Sequence, residues 1–310
     1  MTVLVELPDR PSLSQRLLAG ILRNSMRLLF RGLVRPPMPI VGQRGIIRCL
    51  TATAATPRGI KRCSSTLAGR ACEWHRPPQD NGRVLLYLHG GAYLIGAPVT
   101  HRSITSHLAK HCAMPVCALA YRLAPEHPYP EALEDAMAAY RALLAQGYAA
   151  KQIVIGGDSA GGNLTLLTAL QIKQQGLPMP AALVCFSPWT DATGTQLHNP
   201  PAGDPVIHPA WMHQAGELFL PKGMDRRDPG LSPLYADLTG LPPLLIQVGE
   251  DELLLNDSLR FAKQATAAGV PVVLERYPGC WHVFQIHAGM LDVADLALAR
   301  VARFLQQLDS

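Results

Sequence analysis

Apolar positions along this chain follow two periods. Between residues 83 and 308, short β-branched runs alternate with stretches in which apolar residues recur every three or four positions. The short runs predict strands over 83–88, 116–120, 152–155, 181–186, 244–248 and 270–277. The longer periodic stretches predict helices over 99–111, 132–146, 161–175, 256–268 and 291–308. Ahead of them, 44–76 carries β signals, with strands over 59–66 and 71–76 joined near Ala68-Gly69 as a hairpin. Alternation of this kind predicts an α/β fold, a mostly parallel central sheet with helices on both faces.

Two segments depart from the alternation. Residues 11–33 read as an amphipathic helix, with Arg16, Arg23, Arg27 and Arg31 on one face and Leu17, Leu18, Ile21, Leu22, Leu28 and Leu29 on the other. The plain expectation is a surface helix packed by its leucines; the sharper one is a mobile lid over a pocket, and a basic amphipathic helix touching a membrane surface is a third. Residues 187–233 are rich in Pro, Gly and Asp and hold one helix candidate, 210–220. So long an excursion between strands is usually functional or a small subdomain. It would lie over the C-terminal ends of the strands, where open α/β sheets bind ligands.

Composition narrows the field. Of 310 residues, 48% are hydrophobic and 16% charged, which suits a sizeable core, and no apolar run is long enough to span a membrane. The net charge of +5 is lopsided: residues 1–35 carry six arginines against Glu6 and Asp9, leaving +1 for the remainder. No Lys-rich, aromatic-interleaved surface is present, which argues against a nucleic-acid partner. The seven cysteines are odd in number and contain no C-x-x-C, so neither a disulfide framework nor a zinc site is expected. With no signal-peptide pattern, a cytoplasmic location is the expectation.

The chemistry centres on Gly157-Asp158-Ser159-Ala160-Gly161, a G-x-S-x-G turn between a predicted strand and helix. That pattern lifts a serine hydroxyl clear of the sheet on a sharp bend. A serine nucleophile needs a base, and the base an orienting acid, each following a later strand. After the strand at 270–277 comes His282, the expected base. After the strand at 244–248 come Glu250 and Asp251; the longer Glu250 adjoins the strand end, which favours Asp251 as the acid. The residue after the nucleophile, Ala160, is an expected oxyanion donor, and Gly90-Gly91, after the strand at 83–88, supplies the second donor loop. His89, Glu126 and Asp158 are expected to be structural.

His89-Gly90-Gly91-Ala92, the run from Tyr121 to Pro130 (YRLAPEHPYP), Gly157 to Leu164 (GDSAGGNL), Gly249 to Leu253 (GEDEL) and His282-Val283-Phe284 resemble the hormone-sensitive-lipase family of α/β-hydrolases, the bacterial family IV carboxylesterases. Ala92 and Glu252 depart from it, standing where many members have a third glycine and a proline. The resemblance covers about residues 60–308. It implies an α/β-hydrolase fold over 1–310 as a single domain, capped by about 1–40 and the insertion 187–233. It implies a small-molecule ester as substrate, short- to medium-chain, hydrolysed without cofactor or metal through Ser159, His282 and Asp251. Gly90, Gly91 and Ala160 would be the oxyanion donors. An apolar pocket is expected from Tyr93, Leu94, Trp189, Trp211, Phe219, Leu254 and Phe284. Small-lactone or amide hydrolysis on the same triad is the neighbouring expectation. A non-catalytic receptor on the same fold is the contrasting one, disfavoured because His282 is retained. Stable membrane insertion is not expected; a homodimer through the strand at 270–277 and the last helix is.

Overall fold

The computed structural model describes residues 2–4, 11–52 and 56–308, the first three by their backbone alone. Nine strands form one sheet: β1 Thr2–Leu4, β2 Lys61–Leu67, β3 Arg70–Arg76, β4 Val84–Leu88, β5 Val116–Leu119, β6 Ile153–Asp158, β7 Ala182–Phe186, β8 Leu244–Gly249 and β9 Val272–Tyr277. Their order is β1-β9-β8-β7-β6-β4-β5-β3-β2. The β2–β3 and β3–β5 pairs are antiparallel and all others parallel. Eight α-helices connect or flank them: α1 Leu13–Leu28, α2 Ile40–Thr51, α3 Arg102–Cys112, α4 Glu131–Ala145, α5 Ala160–Gln174, α6 Pro209–Phe219, α7 Leu255–Ala267 and α8 Asp292–Gln306.

Central strands β4, β6, β7 and β8 are buried along their whole length. Because successive strand side chains point to opposite faces, they feed two cores at once. Leu86, Ile155, Leu183 and Ile246 pack on the side covered by α4, α5 and α7, and Leu85, Val154, Val184 and Leu245 on the side covered by α3 and α8. This is why the strands read as continuous apolar runs.

Three expectations change at the N-terminal end. The β signals at 44–51 give way to a helix, α2, which turns Ile40, Gln43 and Ile47 inward. Positions three and seven apart on a helix share a face, so tertiary burial overrides the β-branched bias there. Second, α1 ends in a π-helical turn, Leu29–Leu33, and does not pack by all its leucines. Leu18 and Leu22 are half-buried, while Arg23, Arg27 and Arg31 reach inward to the insertion. Third, β9 is not a free edge. Its Leu274, Glu275 and Arg276 pair with β1, so a second copy cannot add to that edge without displacing β1.

The N-terminal helices and the insertion meet. Trp211 on α6 donates its indole N–H to Gln43 Oε1 on α2 at 3.1 Å, and Phe30 packs edge-on against the same indole.

Candidate active site

Ser159 stands at the C-terminal end of β6 and opens α5. Its backbone has φ +53° and ψ −118°, a conformation that L residues rarely hold. Close packing imposes the bend. A Cβ on Gly157 would lie 2.3 Å from Leu88 O, and one on Gly161 1.9 Å from the same atom. Backbone from β4 therefore touches both sides of the turn, and only hydrogen fits. The turn is tied to its neighbour on the insertion side as well: Ser159 N–H donates to Phe186 O, and Trp189 N–H donates to Ser159 O. Ala160, the first residue of α5, has one of the backbone N–H groups that a helix start leaves without an intrahelical acceptor.

The glycine loop after β4 is organised by Asp158, the residue before the serine. Buried Asp158 accepts the Tyr87 hydroxyl at 2.6 Å and the Gly90 N–H at 3.0 Å, and its second oxygen faces His101 Nε2 at 3.3 Å. Burial opposes the Asp158 charge, yet the His101 charge and these hydrogen bonds hold its pKa below the usual carboxylate range. His89 is sealed between Tyr121 and His101, and its Nδ1 lies 2.9 Å from Gly90 O. Burial, and then the neighbouring His101 charge, push His89 down to about 3, so it is neutral and scaffolding.

This arrangement corrects the expected donor set. The Gly90 N–H is already committed to Asp158. The next two, on Gly91 and Ala92, have no acceptor among the described residues. Gly91 has φ +116°, and a Cβ there would lie 2.3 Å from Ile95 O. Ala92 itself takes φ +54°.

The acid is also corrected. Asp251 does not face His282: its Oδ2 lies 2.6 Å from Arg23 Nη1 on α1. Glu250 pairs with Arg276 at 2.7 Å. Glu252, fully buried, places Oε1 3.1 Å from His282 Nδ1. Its Oε2 accepts the Ser187 hydroxyl at 2.7 Å and the Gly249 N–H at 3.0 Å. The turn after β8 explains the switch. Asp251 N–H donates to Cys280 O, and Leu253 N–H donates to Asp204 Oδ2, which turns residue 251 outward and residue 252 in under the imidazole. Burial disfavours the charged imidazole, but the Glu252 carboxylate outweighs it and raises the His282 pKa.

Two further residues escaped sequence reading. Ser187 follows β7 with φ +48°, donates its hydroxyl to Glu252 and accepts the Val283 N–H at 3.3 Å, tying the acid loop to the histidine loop. A lone serine after a strand carries no signal in the chain. Buried Asp204 in the insertion binds the N–H groups of Val206, Ile207 and Leu253. Its place in a Gly-Asp-Pro turn is the only hint.

The expected pocket residues divide. Tyr93 and Phe219 stack in parallel with centroids 3.8 Å apart, Trp189 approaches Tyr93 at 6.4 Å, and the Tyr93 hydroxyl is held by Asn163 Oδ1 at 2.6 Å. Trp189 also forms one wall of a cavity of about 170 Å³, with Leu197, Met212 and Arg226 among the others. Leu254 clusters with Ile207 and Leu253, against Trp189. Trp211 packs beneath α1 and α2, and Leu94 is fully buried in the core on the α5 side. Phe284 is fully buried in the opposite core against Tyr277, so neither it nor Leu94 offers surface to a ligand. A larger groove, about 340 Å³, lies around Pro243 and 270–273, where β8 and β9 begin, at the sheet end remote from Ser159. Among the described residues, no group of three or more His, Cys, Asp or Glu side chains is placed to hold a metal ion.

The chain was compared with known proteins. A sequence profile of the α/β-hydrolase fold matches residues 85–286. An acetyl-hydrolase of Streptomyces hygroscopicus is 41% identical over 243 residues, 78% of this chain and 81% of that protein. The carboxylesterase/phospholipase LipF of Mycobacterium tuberculosis is 32% identical over 311 residues, 96% and 82% of the two chains. A crystal structure of an esterase from the bacterial hormone-sensitive lipase family superposes with a TM-score of 0.87 at 36% identity, covering 98% of this chain and 100% of that one. With these likenesses running through the elbow, the glycine loop and the loops of Glu252 and His282, the chain belongs to the α/β-hydrolase-fold family and, within it, to the hormone-sensitive-lipase group of carboxylesterases.

Proposed function

We propose that the protein hydrolyses carboxylic esters of short acyl chains through a Ser159–His282–Glu252 triad and an acyl-enzyme. The observation that carries this reading is the Glu252–His282 contact at 3.1 Å, together with a serine held at φ +53° on the elbow. With Nδ1 bound to the carboxylate, Nε2 is the nitrogen left to act as base. It takes the Ser159 hydroxyl proton as Oγ attacks the ester carbonyl, and Glu252 stabilises the imidazolium so formed. Charge develops on the carbonyl oxygen, and the unspent N–H groups of Gly91, Ala92 and Ala160 are the donors for it. The imidazolium then protonates the departing alkoxide. Water enters, loses a proton to Nε2 and attacks the acyl carbon; the C–Oγ bond then breaks, the imidazolium returns its proton to Ser159 Oγ, and the acid leaves.

Residues 11–40 and 187–233, extended by α2, act as the cap, with β1 outside it at the edge of the sheet, and the half-buried Trp189 borders the acyl site. The 41% identity to an acetyl-hydrolase supports short acyl chains over long ones. All seven cysteines are free thiols, which supports a reducing, cytoplasmic location.

The test is turnover of p-nitrophenyl esters from acetate to decanoate, beside Ser159→Ala. Activity is expected to peak at short chains and to fall by at least about 10³-fold in the variant. Equal rates for the two proteins at every chain length would refute the reading.

A further inference from the structure

Eight large hydrophobic side chains are conspicuously exposed among the described residues, and seven of them lie between residues 13 and 50. Four belong to α1: Leu13, Leu17, Ile21 and Leu28, each more than 60% exposed. At about 100° per residue they fall within an arc of roughly 80°, one continuous stripe along the helix. Val41 and Leu50 on α2 are exposed as well, at 72% and 58%, but nine residues apart they lie on opposite sides of that helix and do not extend the stripe. The eighth, Met290, sits where Gln15 of α1 bonds the 290–292 loop.

The charge of this region has one sign. Residues 11–51 contain seven arginines and no Asp or Glu. Arg23, Arg27 and Arg31 turn inward to Asp251 and to carbonyls of 202–204, and Arg44 pairs with Glu126. Arg16, Arg35 and Arg48 remain exposed, with no carboxylate partner among the described residues. Helix α1 thus binds the protein through arginines and presents leucines and isoleucine to the outside, rimmed by positive charge. An apolar helix face with basic flanks is the chemistry of a helix lying in a lipid–water interface, and it matches an anionic surface in particular. A second copy of the same face would bring like charges together.

We propose that the exposed leucine and isoleucine face of α1 docks the protein reversibly on an anionic lipid bilayer. The docking is peripheral: no helix among the described residues is long and apolar enough to cross a membrane. It places the lipid surface over α1, the helix whose inner face holds Asp251, next in sequence to Glu252.

Co-sedimentation of the full chain with lipid vesicles tests this, independently of the ester chemistry. Vesicles with roughly 30 mol % phosphatidylglycerol in phosphatidylcholine are expected to retain the protein at low salt, and to release it as salt rises. Leu17→Ser/Ile21→Ser is expected to weaken retention about tenfold or more, and Arg16→Glu/Arg35→Glu to abolish the preference over pure phosphatidylcholine. Both pairs are exposed, so the melting temperature should stay at the wild-type value. Absent retention at low salt, or equal retention of wild type and both variants, overturns the proposal. So does a wild-type dimer that Leu17→Ser/Ile21→Ser splits while no vesicle binding is seen, which would make the stripe a contact between copies.

Discussion

Glu252 Oε1 approaches His282 Nδ1 to 3.1 Å, while the adjacent Asp251 turns away to Arg23 on α1 at 2.6 Å. One residue of register in a short turn separates an acid under the imidazole from an anchor for the N-terminal helix. The pair makes different demands on the two carboxylates, and each can be tested.

Glu252→Gln keeps the shape and removes the charge that orients and stabilises the imidazolium. A drop in kcat on the order of 10³–10⁴ is expected, as for loss of the acid in comparable triads. Asp251→Asn should leave kcat within about tenfold of wild type. The comparison is steady-state turnover of p-nitrophenyl acetate; a larger loss in the Asp251 variant would return the role to Asp251.

The pH profile follows from the direction of the His282 shift. Its pKa is raised above the usual value of about 6.5, because the Glu252 charge outweighs burial. Only the neutral imidazole accepts a proton, so kcat/KM should rise with pH through the raised value and then level. A raised histidine binds its proton more tightly when folded. The stability it contributes is full below about pH 6.5 and is lost as pH climbs through the folded value. Activity and this part of the stability should therefore change in opposite directions over the same window. In Glu252→Gln the remaining activity should titrate at lower pH. An unshifted limb in that variant would mean that another group sets it.

Arg23→Ala releases the grip of α1 on Asp251. The pair is partly exposed, with side chains 18% and 22% accessible, so the stability loss should be about 1 kcal/mol or less in thermal melts. Arg27 and Arg31 still bond carbonyls of Ala202 and Asp204, so the helix should stay docked. A several-fold fall in kcat with a smaller change in KM is expected, since the turn carrying Glu252 loses one of its ties. Lysine at the same position should restore part of it.

Asp158→Ala removes a buried carboxylate that holds Tyr87, Gly90 and His101 together. Leaving those partners without it should cost about 3–5 kcal/mol by chemical denaturation. The freed Gly90 loop should lower kcat even in the folded fraction. Full activity per folded molecule would show that the loop keeps its shape without Asp158.

The linear chain announces whatever depends on near neighbours. Alternating apolar periods foretold the β–α order, since each strand and helix buries a face of its own. The elbow around Ser159 was readable because a sharp bend demands glycine at 157 and 161, whatever surrounds it. His282 followed from its place after β9. What depends on which way a turn faces was settled only by folding. Asp251 and Glu252 are adjacent carboxylates of like charge, and contacts from Cys280, Gly249, Ser187 and Asp204, all remote in the chain or fixed by β8, choose between them. Gly90 looks like a donor until Asp158 on β6 claims its N–H. The arginine and leucine faces of α1 were both legible, but not which would be inward. The carbonyls of 202–204 and the carboxylate of Asp251 decide that, by drawing in the arginines and leaving Leu13, Leu17, Ile21 and Leu28 outside.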